Sequence, residues 1–268
     1  MRVAICFSGM PRAIDKGYKY LKDLVEKHKA DVFVHTWLED PYEVAYRSNF
    51  PRNNRYIDPV YSEPTSSLEE RCKNLVKIQL LYKPISMTVD KYHIYQKWYS
   101  NNEKWIYYYR HCSQLESIFL ANELKKKYEI QNNFKYDVVI RCRFDLPLKQ
   151  EFNFEEYDVN NYVYVRDVRA EWIGMPSPKG NKRLERHVND MFAFSSSINM
   201  DKWCNLFNYI RDAAEMVDDV ELLKFYKETI NGPDNHDLLW YYTHNRQTFI
   251  PIKEIQIDWG KSSETLRD

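Results

Sequence analysis

Glycine is scarce in this chain, at 6 of 268 residues, and no stretch is of low complexity. The scarcity excludes a glycine-rich phosphate loop. The turn after the first apolar run, Ser8-Gly9-Met10-Pro11, has neither the further glycines of a dinucleotide fingerprint nor the lysine of a P-loop. It also argues for a folded, enzyme-like body rather than a linker-rich scaffold. Neither sign of charge is in excess, with 39 basic residues against 39 acidic. Bulk electrostatics therefore draw the protein neither to nucleic acid nor to an anionic membrane. No apolar run reaches the ~18 residues of a membrane span, so no integral membrane segment is expected. The cysteines Cys6, Cys72, Cys112, Cys142 and Cys204 are odd in number, and no two stand at metal-ligand spacing. A reducing compartment fits. Because Arg2 leads straight into a strand without a signal peptide's apolar stretch, the cytosol is the expected location.

Aromatic residues, by contrast, are abundant: 16% of the chain, including 22 tyrosines. They fit equally an aromatic core and carbohydrate-contacting grooves. The apolar runs alternate with helical periodicity. Val3 to Phe7 reads as a buried parallel strand, Ile14 to His28 as a helix, and Asp31 to His35 as a second strand. Glu39 to Glu63 has no clean period and reads as a long loop near the ligand edge, and Tyr95 to Tyr109 carries no assignment. A capping box at Ser66 and Glu69 opens a helix to Leu81, and Ile85 to His93 reads as a strand. The strongest helical spacing runs from His111 to Tyr128 and is followed by a strand from Val138 to Phe144. Further strands are expected at Tyr162 to Val165, Asn189 to Ser195 and Thr248 to Ile252. Helices are expected at Lys202 to Arg211, Glu221 to Glu228 and Asp237 to His244. The order predicts an α/β protein with a mostly parallel sheet covered on both faces.

Two runs carry the chemistry. VAICFSGMPR ends a strand in Ser8 and Gly9 and places Arg12 at a helix start, where a phosphate would be favoured and Arg12 could clamp it. An ordinary strand-to-helix turn with a solvent-facing arginine is the competing reading. In YDVVIRCRFDLPL, spacing by two puts Arg141, Arg143 and Asp145 on one face if the strand stays extended. Two guanidiniums in an apolar strand require partners or a ligand. One reading is an internal ion-pair network. The other puts Asp145 on Mn²⁺ or Mg²⁺ bridging a diphosphate, with the arginines on phosphate or sugar hydroxyls. Asp190, in HVNDMFAFS, is either a helix cap or a base for an acceptor hydroxyl. His236, in GPDNHD, is a candidate for the metal or phosphate, beside the N-cap residues Asp234 and Asn235. His35 and Trp37 either border a nucleotide pocket or pack a strand end.

The four blocks VAICFSGMPR, DVFVHTW, YDVVIRCRFD and NDMFAFS together resemble the small glycosyltransferase-like proteins of large algal DNA viruses, phages and bacterial polysaccharide clusters. The resemblance implies a single GT-A-type, Rossmann-like domain over residues 1–268, with a nucleotide-binding part at about 1–148 and an acceptor-binding part at about 149–268. It implies sugar transfer from a nucleoside-diphosphate donor to a glycan hydroxyl. UDP-linked donors are expected, and the viral xylosyltransferases make UDP-xylose compatible; the location would then be the host cytoplasm. By that likeness Ser8, Gly9 and Arg12 touch the nucleotide, Asp145 stands at the metal-binding acidic motif and Asp190 lies on the acceptor side. The chain departs from the pattern at Arg143, which stands where an acidic DxD motif has its first aspartate. A leaving group can also be stabilised by basic side chains. A carbohydrate-binding protein without catalysis and another nucleotide-dependent enzyme are the alternatives.

Overall fold

A computed structural model describes residues 1–38, 67–91, 109–167, 188–209, 235–244 and 249–258. Its first unit is strand β1 (Val3–Gly9), helix α1 (Ile14–Lys27) and strand β2 (Asp31–Trp37). Every residue from Val3 to Ser8 is buried, as a strand covered on both faces requires. Helix α1 turns Ile14, Gly17, Leu21 and Leu24 inward, a stripe recurring every three or four residues. It ends at Lys29, where φ is 47° and the Ala30 amide donates to the Val25 carbonyl.

Helix α2 (Leu68–Tyr82) leads into strand β3 (Ser86–Asp90). Its cap is Ser67, whose hydroxyl accepts from the Glu70 amide at 3.1 Å, one residue later than the capping box read at Ser66 and Glu69. Helix α3 (Tyr109–Gln131) then descends the sheet to strand β4 (Val138–Cys142). A connection with a 3-10 turn at Phe154–Glu156 reaches strand β5 (Val163–Arg166). Strand β6 (Phe192–Ser195), helix α4 (Ser197–Cys204), helix α5 (Asn235–His244) and strand β7 (Ile252–Ile255) complete the described elements. Helix α4 starts before the expected Lys202, and β7 lies beyond the expected Thr248 start. The Glu39 to Glu63 segment, most of Tyr95 to Tyr109 and the helix expected at Glu221 to Glu228 fall outside the described residues.

These strands form one sheet in the order β3-β2-β1-β4-β6-β5-β7. All run parallel except β6, which is antiparallel to both β4 and β5. The arrangement is Rossmann-like: a mostly parallel sheet with helices on both faces. Beneath α1 and α2 lies a core of Ile5, Phe7, Ile140, Phe144 and Tyr82, continued by Phe152, Phe154, Phe192 and Phe194. The rings of Phe152 and Phe192 stack at 5.4 Å and those of Tyr164 and Phe194 at 5.1 Å, so this share of the aromatics serves packing. Beneath α3, α4 and α5 lies the second core, with Cys6, Val139, Ala193, Trp203 and Tyr242.

The lower part of α3 is not apolar. Lys125 is fully buried, and its ammonium donates to Ser197 Oγ and Asp201 Oδ1 at 2.7 Å and to Glu129 Oε2 at 3.2 Å. Glu129 also accepts from Lys135 Nζ and from the Tyr136 amide. Two lysines and two carboxylates thus neutralise one another at the edge of the sheet where β4 begins, locking α3 to α4. Among the described residues no helix is long and apolar enough to cross a membrane.

Candidate functional site

From β1 the chain moves out to β2 and β3, whereas β4 leads to the other half of the sheet. That reversal is a switch point at the carboxyl ends of β1 and β4, the kind of place where α/β sheets take ligands. Because β6 runs against β4, its start lies beside the end of β4, with Cys142 opposite Phe192 and Arg141 opposite Ala193. The geometry therefore gathers Ser8, Gly9 and Arg12, the 141–145 stretch and Asp190 at one edge.

At the end of β1 the backbone of Gly9 takes φ 110°, a conformation side chains rarely adopt. Its amide donates to Ser117 Oγ at 2.9 Å and its carbonyl accepts from Thr36 Oγ1 at 2.7 Å. Both peptide groups thus hold the turn together. Ser8 is buried with its hydroxyl unpartnered among the described residues. The Pro11 carbonyl accepts from Asn74 Nδ2 at 2.9 Å, and Ala13 opens α1 at φ 50° without a side-chain cap. Arg12 stands between them on the rim.

His35 and Trp37 are packed at the end of β2. His35 is fully buried, with Nδ1 2.9 Å from Ser117 Oγ and Nε2 3.1 Å from Asp90 Oδ2, and its ring meets Trp37 edge-on at 4.8 Å. Together with Ser117 they brace the Gly9 turn from β2 and α3.

Strand β4 ends at Cys142, so the alternation does not extend through Asp145; residues 144 and 145 form a turn. Phe144 drives that turn, burying its ring against Phe7 at 5.0 Å and Tyr82 at 5.5 Å. The backbone there lies so close to α1 that a Cβ on Gly17 would stand 1.7 Å from the Phe144 carbonyl oxygen. The turn brings Arg143 back onto Asp145 in a two-pronged contact: Nε to Oδ1 at 2.9 Å and Nη2 to Oδ2 at 2.6 Å. Burial disfavours the Arg143 charge, but the carboxylates of Asp145 and Asp190 outweigh it and raise its pKa.

Arg141 is 1% exposed. Its Nη1 donates to the Met191 carbonyl, while Nε and Nη2 have no hydrogen-bond partner among the described residues. Burial pulls its pKa down to about 10, opposed by Asp190 and reinforced by Arg143. Asp190 is buried and accepts from Gln114 Nε2. It caps none of the described helices: the preceding Asn189 takes the local role, its Oδ1 accepting from the Met191 amide at 2.9 Å and the Phe192 amide at 3.2 Å.

Several participants had gone unmarked. Gln114 and Ser117 sit on α3 and reach the site only through the fold. Arg166, buried at the end of β5 with its pKa lowered to about 10 by burial, was legible, since VYVRD repeats the apolar-run-then-arginine pattern of β4. Arg71 is a further buried guanidinium, near the start of α2. His236 falls within the first turn of α5, not on a loop, and its side chain lies outside the described residues.

Among the described residues, the donors present do not fit a resident divalent cation. Both oxygens of Asp145 are engaged by one guanidinium, and among the described residues no cluster of three or more His, Cys, Asp or Glu could hold a metal. No protein-family model matches the chain, and no curated protein matches it.

Proposed function

We propose that the protein is a glycosyltransferase moving a sugar from a nucleoside-diphosphate donor, UDP-linked by the resemblance, to a hydroxyl of a glycan acceptor. The observation that carries this reading is the convergence of Arg141, Arg143, Asp145 and Asp190 at the point where the sheet reverses. A buried arginine with two unpartnered nitrogens is costly to a fold, and its position at the switch point of the sheet gives it a purpose. Ser8 to Arg12, Arg141 to Asp145 and Asp190 belong to the blocks that carry the resemblance and share this edge, and a single mostly parallel sheet flanked by helices supports the GT-A-type reading.

In this reading the donor's diphosphate lies over the ends of β1 and β4, within reach of Arg12 and Arg143. Asp190, fixed by Gln114, is the carboxylate that receives the acceptor's proton. The test is a donor panel of nucleotide sugars with glycan acceptors, read as nucleoside diphosphate released. Acceptor-dependent release from one donor is expected. Absence of both turnover and donor binding across the panel refutes the proposal.

A further inference from the structure

The site conflicts with a transfer that relies on a protein-held metal ion. We infer that the leaving diphosphate is met by the guanidinium of Arg143 over the buried charge of Arg141, and that Asp145 is a positioning residue for Arg143 rather than a metal ligand. The inference rests on the transferase reading and goes beyond it by naming what replaces the cation.

Arg143 spends Nε and Nη2 on Asp145, so Nη1 is the part of the guanidinium left for a ligand. Its side chain is 20% exposed against 6% for Asp145, so the guanidinium, not the carboxylate, presents itself at the edge. A carboxylate whose two oxygens both accept from one planar fork fixes that fork's direction. A dication on the same carboxylate would stand against the guanidinium, like charge against like. Arg141, with Nη1 given to the Met191 carbonyl, acts as a fixed positive charge beneath, in a place where water does not screen it. Arg12 follows the end of β1, next to β4, and Arg166 ends β5, two strands beyond β4, on the same edge.

The step balances without a metal. The bond from the anomeric carbon to the diphosphate oxygen breaks with its electron pair going to that oxygen. The acceptor oxygen bonds the anomeric carbon, and its proton passes to Asp190. The developing charge on the diphosphate is then held by oriented N–H groups.

Calorimetric binding of UDP, GDP, ADP and CDP, with EDTA and then with Mn²⁺, tests the inference alongside turnover of the matching nucleotide sugars. At least one diphosphate is expected to bind with the same affinity in both buffers, and transfer to persist in EDTA. Arg143→Lys keeps the charge of the pair but loses the fork, and should weaken binding by about 10–100-fold in both buffers. Asp145→Asn should weaken it by a factor that added Mn²⁺ does not change. Thermal unfolding of each variant confirms that the folded protein is being measured. Binding or transfer abolished by EDTA and restored by Mn²⁺, or an Asp145→Asn defect recovered by raising Mn²⁺, overturns the inference and leaves the transferase standing. Metal-independent diphosphate binding without sugar transfer refutes the transferase and leaves the guanidinium site. No binding in either buffer removes both.

Discussion

Replacing Arg141 by Met separates a guanidinium kept for a ligand from one kept for the fold. Burial lowers its pKa to about 10 even with Asp190 acting in its favour. At about 1.4 kcal/mol per tenfold change in proton affinity, the charged form costs the folded chain roughly 3 kcal/mol. The sign follows from linkage: arginine is protonated in both states at neutral pH, so the whole cost is present there. It is relieved only as the pH rises through about 10, where the folded protein releases the proton first. Methionine keeps much of the stem's volume and removes the charge. It also removes the hydrogen bond to the Met191 carbonyl, an interaction worth about 1.5–3 kcal/mol for a charged donor. The balance is a variant as stable as the parent or more stable by about 1 kcal/mol. Urea unfolding should therefore show an unchanged or higher midpoint at unchanged slope, while nucleoside-diphosphate affinity falls. A loss of about 3–5 kcal/mol, the cost of breaking a buried ion pair, would refute the reasoning and make Arg141 a structural partner of Asp190.

Gly17→Ala tests the support of the 143–145 turn. In a helix interior the change ordinarily stabilises by about 1 kcal/mol, but here the new Cβ meets the Phe144 carbonyl oxygen at 1.7 Å. A net loss of about 1–3 kcal/mol and weaker diphosphate binding are expected; a raised melting temperature would count against this contact. Lys125→Met should cost about 3–5 kcal/mol in urea unfolding, because it strips Asp201 and Glu129 of their buried cation. Burial pushes the Glu129 carboxyl up, but the hydrogen bonds from Lys135, Ser197 and the Tyr136 amide, with the charge of Lys125, hold it below the ordinary carboxylate value. Its stabilisation is therefore present above the unfolded carboxylate range and lost as the pH falls through the folded value. The unfolding midpoint of Glu129→Gln should accordingly fall less steeply with acid than that of the parent. Asp190→Asn should lower turnover by about 10²–10⁴-fold with donor affinity preserved, and unaltered turnover would remove it as the base.

What the sequence makes legible is whatever short-range pattern encodes. Val3 to Phe7 and Asp31 to His35 announce buried parallel strands because they lack the polar alternation of a half-solvated sheet. Once the strands are parallel and joined by helices, their carboxyl ends share one edge, and Ser8, Gly9, Arg141 and Arg143 are at that edge by chain order alone. The direction of β6 is not encoded in this way. NDMFAFS would read the same beside β4 in either sense, and only pairing with Val139 to Cys142 across about 50 residues fixes it. Without that reversal Asp190 would begin its strand at the far edge, away from both arginines. Gln114 is hidden for the same reason: its partner Asp190 is 76 residues away, and nothing in the helical spacing of α3 marks it.

Arg143 and Asp145 show how a correct juxtaposition arises from a different cause. Spacing by two places them on one face of an extended strand, yet the strand stops at Cys142. What brings them together is Phe144, whose ring is drawn under Phe7 and Tyr82 while its carbonyl is pressed onto α1 at Gly17. The residue between the two charges supplies the force, through burial of an aromatic ring worth several times a surface ion pair. This assigns the roles in the turn. The buried ring sets the backbone of the turn, and within it the Asp145 carboxylate fixes the direction of the Arg143 guanidinium. Phe144→Leu should therefore disturb diphosphate binding as strongly as a change at Asp145, although the ring itself touches only core.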